Sequence, residues 1–384
     1  MYFLIFVIQL FQVNMTNPKQ KVLIVGAGLA GMAIYHKLDK NKFEIDIVEK
    51  RDKLQNLGYA IIMNPVGIRA LKMLGYSNES VSKIGKSIDG AVVWNKNGEV
   101  LQVTDFKGFK NRFDDYQVVS RKHLYELLES NFSPDSLKMN LYPTSFKEVE
   151  SKVLVQFSDS TEKEYDLVIG ADGVYSQVRE HIFPNTEIED AGLMFMWAWF
   201  PRGKVTMPGP LGVMDNNTGG IGFFDSNENE RVCMYLYKSM TREQSKKFSR
   251  SEYQNLWREE LKDFTNIPGV IENLPSGEDM HMAQDRQFFL DKMYKGSIVL
   301  IGDSAHVRSI FGGAGSSIAL EDAVVLGIYL NNEKSISSAL EKYSESQNQR
   351  GRNIILPNLS GTKFGETVND FLSTSPLFNE SALS

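Results

Sequence analysis

The sequence predicts an α/β protein: a discontinuous nucleotide-binding-type domain that carries an inserted β-rich domain and is closed by C-terminal helices. Three observations predict it. "KVLIVGAGLAGMAIYHKL" (Lys21–Leu38) reads as a buried strand, a glycine turn and a helix. "SIVLIGD" (Ser297–Asp303), near the other end, is again a buried strand, running into Gly-Asp. Between them, from about Asp190 to Asp285, the pattern is mostly that of half-buried strands. Nucleotide-type segments at both ends with β structure between them are most simply one interrupted domain with an insertion. The chain has 384 residues, which fits two domains at roughly 100–200 residues each.

The elements follow in order. "FEIDIVEK" is the second strand, and "NPVGIRALKMLGY" a helix with a glycine stop. "GAVVWNKNGEVLQV" is a hairpin turning at Asn-Lys-Asn-Gly. "VSRKHLYELLESNF" is an amphipathic helix, and "VLVQFSDSTEKEYDLVIGADG" gives a hairpin and then a buried strand. "SRSEYQNLWREELKDF" is a helix that interrupts the β-rich stretch. "SSIALEDAVVLGIYL" and "SSALEKYSESQNQRGRNII" are the closing helices. The expected boundaries are 20–80, 110–189 and 286–335 for the discontinuous domain, with 81–109 and 190–285 for the β-rich one. Residues 336–384 form a C-terminal helix and tail, and residues 1–19 an apolar extension.

Charge and cysteine content exclude several classes. A net charge of −6 gives no basic surface for nucleic acid. The single cysteine, Cys233, cannot form an internal disulfide, and no metal cluster can be built around it. In the alternating stretch "RVCMYLY" it reads as a core residue. No metal site is expected, since His36, His123, His181 and His281 are scattered. The opening "MYFLIFVIQLFQV" is too short for a spanning helix, which needs about 20 apolar residues. It also lacks the basic start and cleavage site of a signal peptide. Either Met15 is the initiator, or the run is a weak membrane-surface anchor. Membrane contact is expected only there, and the chain is expected in the cytoplasm.

The glycine turn carries the first chemistry. Gly26 permits the tight turn, Gly28 lets backbone approach a pyrophosphate, and Gly31, after Ala30, lets helix pack on strand. The helix N-terminus offers free N–H groups and the positive end of its dipole. Glu49, followed by Lys50, ends the next strand, near the roughly 20-residue offset of an acid that binds a ribose hydroxyl. An acid there fits the unphosphorylated adenosine ribose of NAD or FAD; the loop alone does not choose between them.

Further stretches do. "LGYAIIMNPVGIRALKMLG", "VVSRKHLYELL", "DLVIGADGVYSQVR", "MYKGSIVLIGDSAH" and "ALEKYSESQNQR" occur in that order, and from about Lys21 to Ile355 the chain resembles the single-component FAD-dependent monooxygenases. These are the aromatic hydroxylases of the para-hydroxybenzoate hydroxylase type, with the tetracycline-inactivating enzymes as a subgroup. The resemblance implies a Rossmann-like FAD-binding domain with an inserted substrate domain. It also implies roles. Glu49 would hold the adenosine ribose, and Arg121 the phosphate or ribityl region. Asp172 and Gly173 form an element linked to FAD and to reduced nicotinamide, although an Asp before a helix also serves as a cap. Asp303 would bind the ribityl or pyrophosphate part. Gly313, Ala314, Gly315 and Ser316 would bring backbone and a helix N-terminus to the flavin, where reduced flavin carries negative charge. His306 belongs to the same motif, usually as a structural residue.

The implied reaction uses NAD(P)H to reduce FAD. Oxygen then adds at flavin C4a as a hydroperoxide, which hydroxylates an aromatic or polycyclic small molecule; no side-chain nucleophile is needed. Two departures bear on it. A proline usually follows the histidine by three residues; here Ser309 stands there, with Ile310 beside it and Arg308 before it. A polar residue often precedes the last glycine, where this chain has Ala314. Losing a proline adds an N–H and loosens the loop, which opens the alternative of a flavin oxidoreductase without oxygen transfer; a non-catalytic flavoprotein that binds a small molecule is a third class. "MWAWFPRG" approximates the W-x-W-x-x-P of flavin-dependent halogenases but is one residue short. It is expected to line the substrate pocket, with Met194 and Met196 alternating with aromatic residues in an apolar cavity. If the N-terminal run is an anchor, a chain starting at Met15 should leave the membrane fraction; unchanged partitioning would remove the anchor reading.

Overall fold

The computed structural model describes residues 18–54, 58–110, 112–130, 132–215, 218–264, 266–307, 313–354 and 371–379. The first 17 residues, with the anchor expectation that falls on them, lie outside the described part.

Six strands build the sheet of the expected nucleotide-binding domain, called the cofactor-side sheet for that expectation, in the order Tyr294–Lys295, Ile298–Leu300, Leu167–Gly170, Gln20–Val25, Phe43–Glu49, Leu137–Met139. All pair in parallel except the first two, which are antiparallel. Val22, Leu23 and Ile24 are fully buried, as are Leu167, Val168 and Ile169. Such continuous apolar runs are what a parallel sheet covered on both faces requires. The sheet thus joins strands from both ends of the chain, as the interrupted-domain reading anticipates. A three-stranded antiparallel meander (Pro143–Val149, Lys152–Phe157, Glu162–Tyr165) leads into its strand Leu167–Gly170.

An eight-stranded sheet holds the β-rich part. Its order is His306–Val307, His281–Phe289, Glu189–Pro201, Arg231–Ser239, Gly219–Phe224, Leu211–Asp215, Gly90–Asn95, Val100–Asp105. The expected hairpin closes with Gly98 N–H donating to Asn95 O at 2.9 Å, Gly98 having φ +83°. It extends the sheet by pairing in parallel with Leu211–Asp215. A third sheet has the order Ala60–Met63, Tyr116–Ser120, Gly85–Ile88.

The eight-stranded sheet has two different faces, because side chains alternate along a strand. Met194, Met196, Ala198 and Phe200 pack with Met234, Leu236 and the fully buried Trp257 of the helix Arg250–Leu261. Phe195, Trp197, Cys233, Tyr235 and Tyr237 belong instead to the core shared with the cofactor-side sheet. This corrects the pocket expectation for Met194 and Met196: period-2 geometry turns both away from the aromatic face and into the core beneath the helix. On the aromatic face the strand Gly219–Phe224 contributes glycines. A Cβ at Gly222 would fall inside the Tyr235 ring, and one at Gly220 would strike Tyr237. The two rings therefore lie directly over a glycine strand.

Replacing Gly222 by Ala should cost about 1–3 kcal/mol through overpacking. Gly108→Ala, where an added Cβ meets nothing within 4 Å, should stay within roughly 0.5 kcal/mol. Urea denaturation of both variants checks the contrast.

Candidate active site

Adjacent parallel strands end on one edge of the cofactor-side sheet, and the sequence-selected residues gather there. Gly26 ends the strand Gln20–Val25 with φ +101°, its amide donating to Val48 O at 2.8 Å. A Cβ at Gly26 would press on Ala171, and one at Gly31 on the Gly26 carbonyl. Both glycines are thus required for strand, turn and helix to meet. Gly28 differs: no atom lies within 4 Å of where its Cβ would be. It is the N-cap of the helix Leu29–Lys37, which has no side-chain cap and no acid in its first turn. The N-terminus of the first closing helix matches it. Gly315–Asn332 starts after Ala314 with no side-chain cap and no first-turn acid, and Gly315 too meets nothing within 4 Å. Gly313 has φ +55°; Gly315 is exposed, Ala314 buried and Ser316 half-buried. Ala30 is buried, beside Gly302: a Cβ there would stand 3.1 Å from that of Ala30.

Glu49 is buried and accepts N–H bonds from Ala27 (3.0 Å) and Arg51 (3.1 Å), so it braces the first glycine turn. Lys50 is exposed and makes no hydrogen bond or ion pair with the described residues. Asp172 caps the helix region that follows it: one oxygen accepts Ser176 Oγ at 2.5 Å, the other the amides of Gln177 (2.8 Å) and Val178 (3.2 Å). Burial still pushes its carboxyl upward against these bonds. Gly173, φ +82°, again meets nothing within 4 Å.

Asp303 is exposed just past the carboxyl end of the strand Ile298–Leu300. Desolvation raises its carboxyl; His306 and Arg121 draw it down and Asp322 pushes it further up. Its backbone is held from behind. Buried Asp322 accepts Gly302 N–H (2.7 Å), pairs with His306 Nε2 (2.7 Å) and accepts from Gln347. Ser304 Oγ donates to Gly170 O at 2.6 Å, which ties the Gly-Asp turn to the neighbouring strand. His306 is thus engaged by a carboxylate inside the fold, in keeping with a structural role.

Arg121 opens the helix Arg121–Glu129 and is clamped by two phenols. Nη1 donates to Tyr59 Oη and Nη2 to Tyr125 Oη, each at 2.9 Å. Tyr125 lies one turn along the same helix, a spacing legible in sequence; Tyr59 has no such local signal. Arg179, not singled out from sequence, is buried over Phe288 at 4.4 Å and donates to Val174 O (2.6 Å) and Ser304 O (3.1 Å). It joins the Asp172 loop to the Gly302 turn. Asp322 was equally hidden, as an acid inside an apolar helix. Arg308, Ser309 and Ile310 lie outside the described residues.

The donor set fits a dinucleotide: open glycines on three loops, two uncapped helix N-termini, an exposed carboxylate and a clamped guanidinium. A well-defined surface cavity lies elsewhere. It measures about 510 Å³ and is lined by Lys86, Arg202, Met207, Pro210 and Asp225. Its charges are largely spent on each other, Asp225 binding both Lys86 (2.5 Å) and Arg202 (2.7 Å); we assign the chemistry to the glycine-lined cleft.

Comparison with known proteins shows the family and the fold. The family described as FAD binding domain matches residues 19–356. A flavin-dependent monooxygenase of Legionella longbeachae is 24% identical over 316 residues, covering 80% of this chain and 79% of that one. The aurachin C monooxygenase/isomerase of Stigmatella aurantiaca is 24% identical, covering 91% of each. Among solved structures, Klebsiella pneumoniae HpxO with FAD and uric acid superposes with a TM-score of 0.81 at 18% identity, covering 97% of this chain and 93% of that one. The tetracycline destructase Tet(51) gives 0.69 at 22% identity, covering 94% and 98%. Those structural likenesses establish the fold. No helix among the described residues is long and apolar enough to cross a membrane.

Cys233 supplies a test independent of the cofactor. It is fully buried and its thiol is pushed up to about 12 by burial. A thiolate-directed reagent should leave the native protein unmodified and label one site after denaturation; rapid labelling of the native protein would contradict this packing.

Proposed function

The chain belongs to the FAD binding domain family and is an FAD-dependent monooxygenase like its relatives; from that premise we propose that it consumes NAD(P)H and O2 to place one oxygen atom on an aromatic or polycyclic small molecule. One observation carries the reading. Gly28, Gly173 and Asp303 follow the carboxyl ends of three neighbouring parallel strands, with open space beside both glycines, and such ends are where α/β sheets bind ligands.

In this reading the Gly28 backbone and the uncapped helix behind it take the pyrophosphate. Glu49 keeps lone pairs for ribose hydroxyls beyond its two amide bonds. Arg121 faces a phosphate or the ribityl chain, and Asp303 the ribityl or pyrophosphate part. The helix Gly315–Asn332 turns its positive end, equivalent to roughly half a charge, toward the ring system. Bound FAD would supply electron transfer and oxygen activation; the chain binds it, orients it and excludes water. The substrate would rest toward the aromatic face of the large sheet, where Phe195, Trp197, Tyr235 and Tyr237 form an aromatic cluster of stacked and tilted rings. A flat ring system suits such a face, as would a heterocycle like the uric acid of the HpxO complex.

The test is NAD(P)H oxidation by the yellow purified protein, with hydrogen peroxide and product followed together, against phenols, salicylates and tetracyclines. We expect one class to accelerate NAD(P)H loss while peroxide stays low and labelled oxygen from O2 enters product. Peroxide at every turnover would favour the oxidoreductase without oxygen transfer, for which Ser309 speaks, and Ser309→Pro should then restore product. No bound FAD would overturn both readings.

A further inference from the structure

The segment Gly58–Ala60 lies against the aromatic face of the large sheet at three successive residues. Trp199 Nε1 donates to the Gly58 carbonyl. The Tyr59 ring stacks on Trp197 (centroids 5.2 Å apart, 27° between planes) and on His281 (4.9 Å, 16°). Ala60 N–H donates to Cys233 Sγ at 3.3 Å. Trp197 and His281 are direct cross-strand partners, so Tyr59 covers a pair rather than a single side chain.

The other side of Tyr59 faces the cofactor arginine. Its hydroxyl accepts from Arg121 Nη1 at 2.9 Å, and its carbonyl accepts the Arg121 amide at 3.1 Å. Tyr125 takes Nη2, and the guanidinium carbon stands 5.0 Å from both ring centroids. An arginine side chain carries about 2 kcal/mol of rotamer entropy. Two phenols taking two different nitrogens leave it one orientation.

We propose that Tyr59 is a positioning residue: its phenol fixes the direction of Arg121 toward the cofactor, and its ring carries the packing of Trp197 and His281, on the substrate-side sheet, to that arginine. The inference rests on the reading of Arg121 as a cofactor contact. Coupling between two sites is reciprocal, so whatever shifts Trp197 and His281 alters cofactor retention, and the reverse.

The test measures FAD release from the holoenzyme, as the rise of flavin fluorescence on dilution, alongside the thermal midpoint. Tyr59→Phe keeps the stack and removes only the hydroxyl. It should speed release about tenfold, what one hydrogen bond to a charged group is worth, with little change in midpoint. Tyr59→Leu should speed it further and lower the midpoint. Arg121→Met should speed release at least as much as Tyr59→Phe, and adding Tyr59→Phe to it should change little more, since two residues acting through one interaction are not additive. If Tyr59→Phe releases FAD at the wild-type rate while Arg121→Met does not, Tyr59 is only packing and the proposal fails. If Arg121→Met itself releases FAD at the wild-type rate, the reading of Arg121 fails first and takes this one with it.

Discussion

The parallel pairing of Gln20–Val25 with Leu167–Gly170 is the constraint on which the rest depends. Val22 to Val25 face Leu167 to Gly170 in unbroken register, and the Ala171 amide continues the ladder to Val25 O at 2.8 Å. That register brings the first glycine turn against the Ala171–Asp172 loop so closely that no Cβ fits at Gly26. Ile298–Leu300 then adds on the far side of Leu167–Gly170, which delivers the Gly302–Asp303 turn to the same edge. Three loops far apart in the chain become one cleft wall because their strands are neighbours and point the same way. A one-residue slip in either pairing would turn every side chain of that strand to the opposite face of the sheet and displace the loop that follows it.

A second constraint lies behind that wall. Glu321 and Asp322 are adjacent and fully buried on the helix Gly315–Asn332. Asp322 reaches the Gly302 amide and His306; Glu321 reaches Arg350 at 3.2 Å and Ser375 Oγ at 2.5 Å. Burial raises the Glu321 carboxyl despite the arginine beside it. Buried charges that lose a partner are costly, about 3–5 kcal/mol. The helix Gly315–Asn332 is therefore held in one place from both sides, by the Gly-Asp turn and by the residues 371–379.

The large sheet separates two tasks by side-chain alternation. One face is plain core, closed by Trp257 and the methionines. The other is aromatic, with Tyr235 and Tyr237 set over a strand of glycines, and it meets the cofactor side through Tyr59. Because Tyr59 touches both Arg121 and the Trp197–His281 pair, the two halves share a side chain rather than a simple apolar seam.

The sequence alone determined the α/β class, the glycine turn and its helix, the glycine-stopped helix before Tyr76, the Asn95–Gly98 hairpin and the closing helices. Each of these is a local pattern: an apolar period, a turn residue with positive φ, a strand running into glycine. It also marked Gly26, Gly28, Gly31 and Glu49, because the spacing that lets backbone approach a phosphate is itself local; Asp172 and Asp303 were marked by the family resemblance instead. Tertiary structure decided what no local pattern encodes. Which face of Glu189–Pro201 turned to the core, and so the fate of Met194 and Met196, followed from the helix Arg250–Leu261 covering one side. The pairing of Arg121 with Tyr59, 62 residues away, the clasp of Asp322 on Gly302, and the place of Arg179 between two loops all follow from strand order, because hydrogen bonds between distant residues exist only once the sheets have brought their ends together.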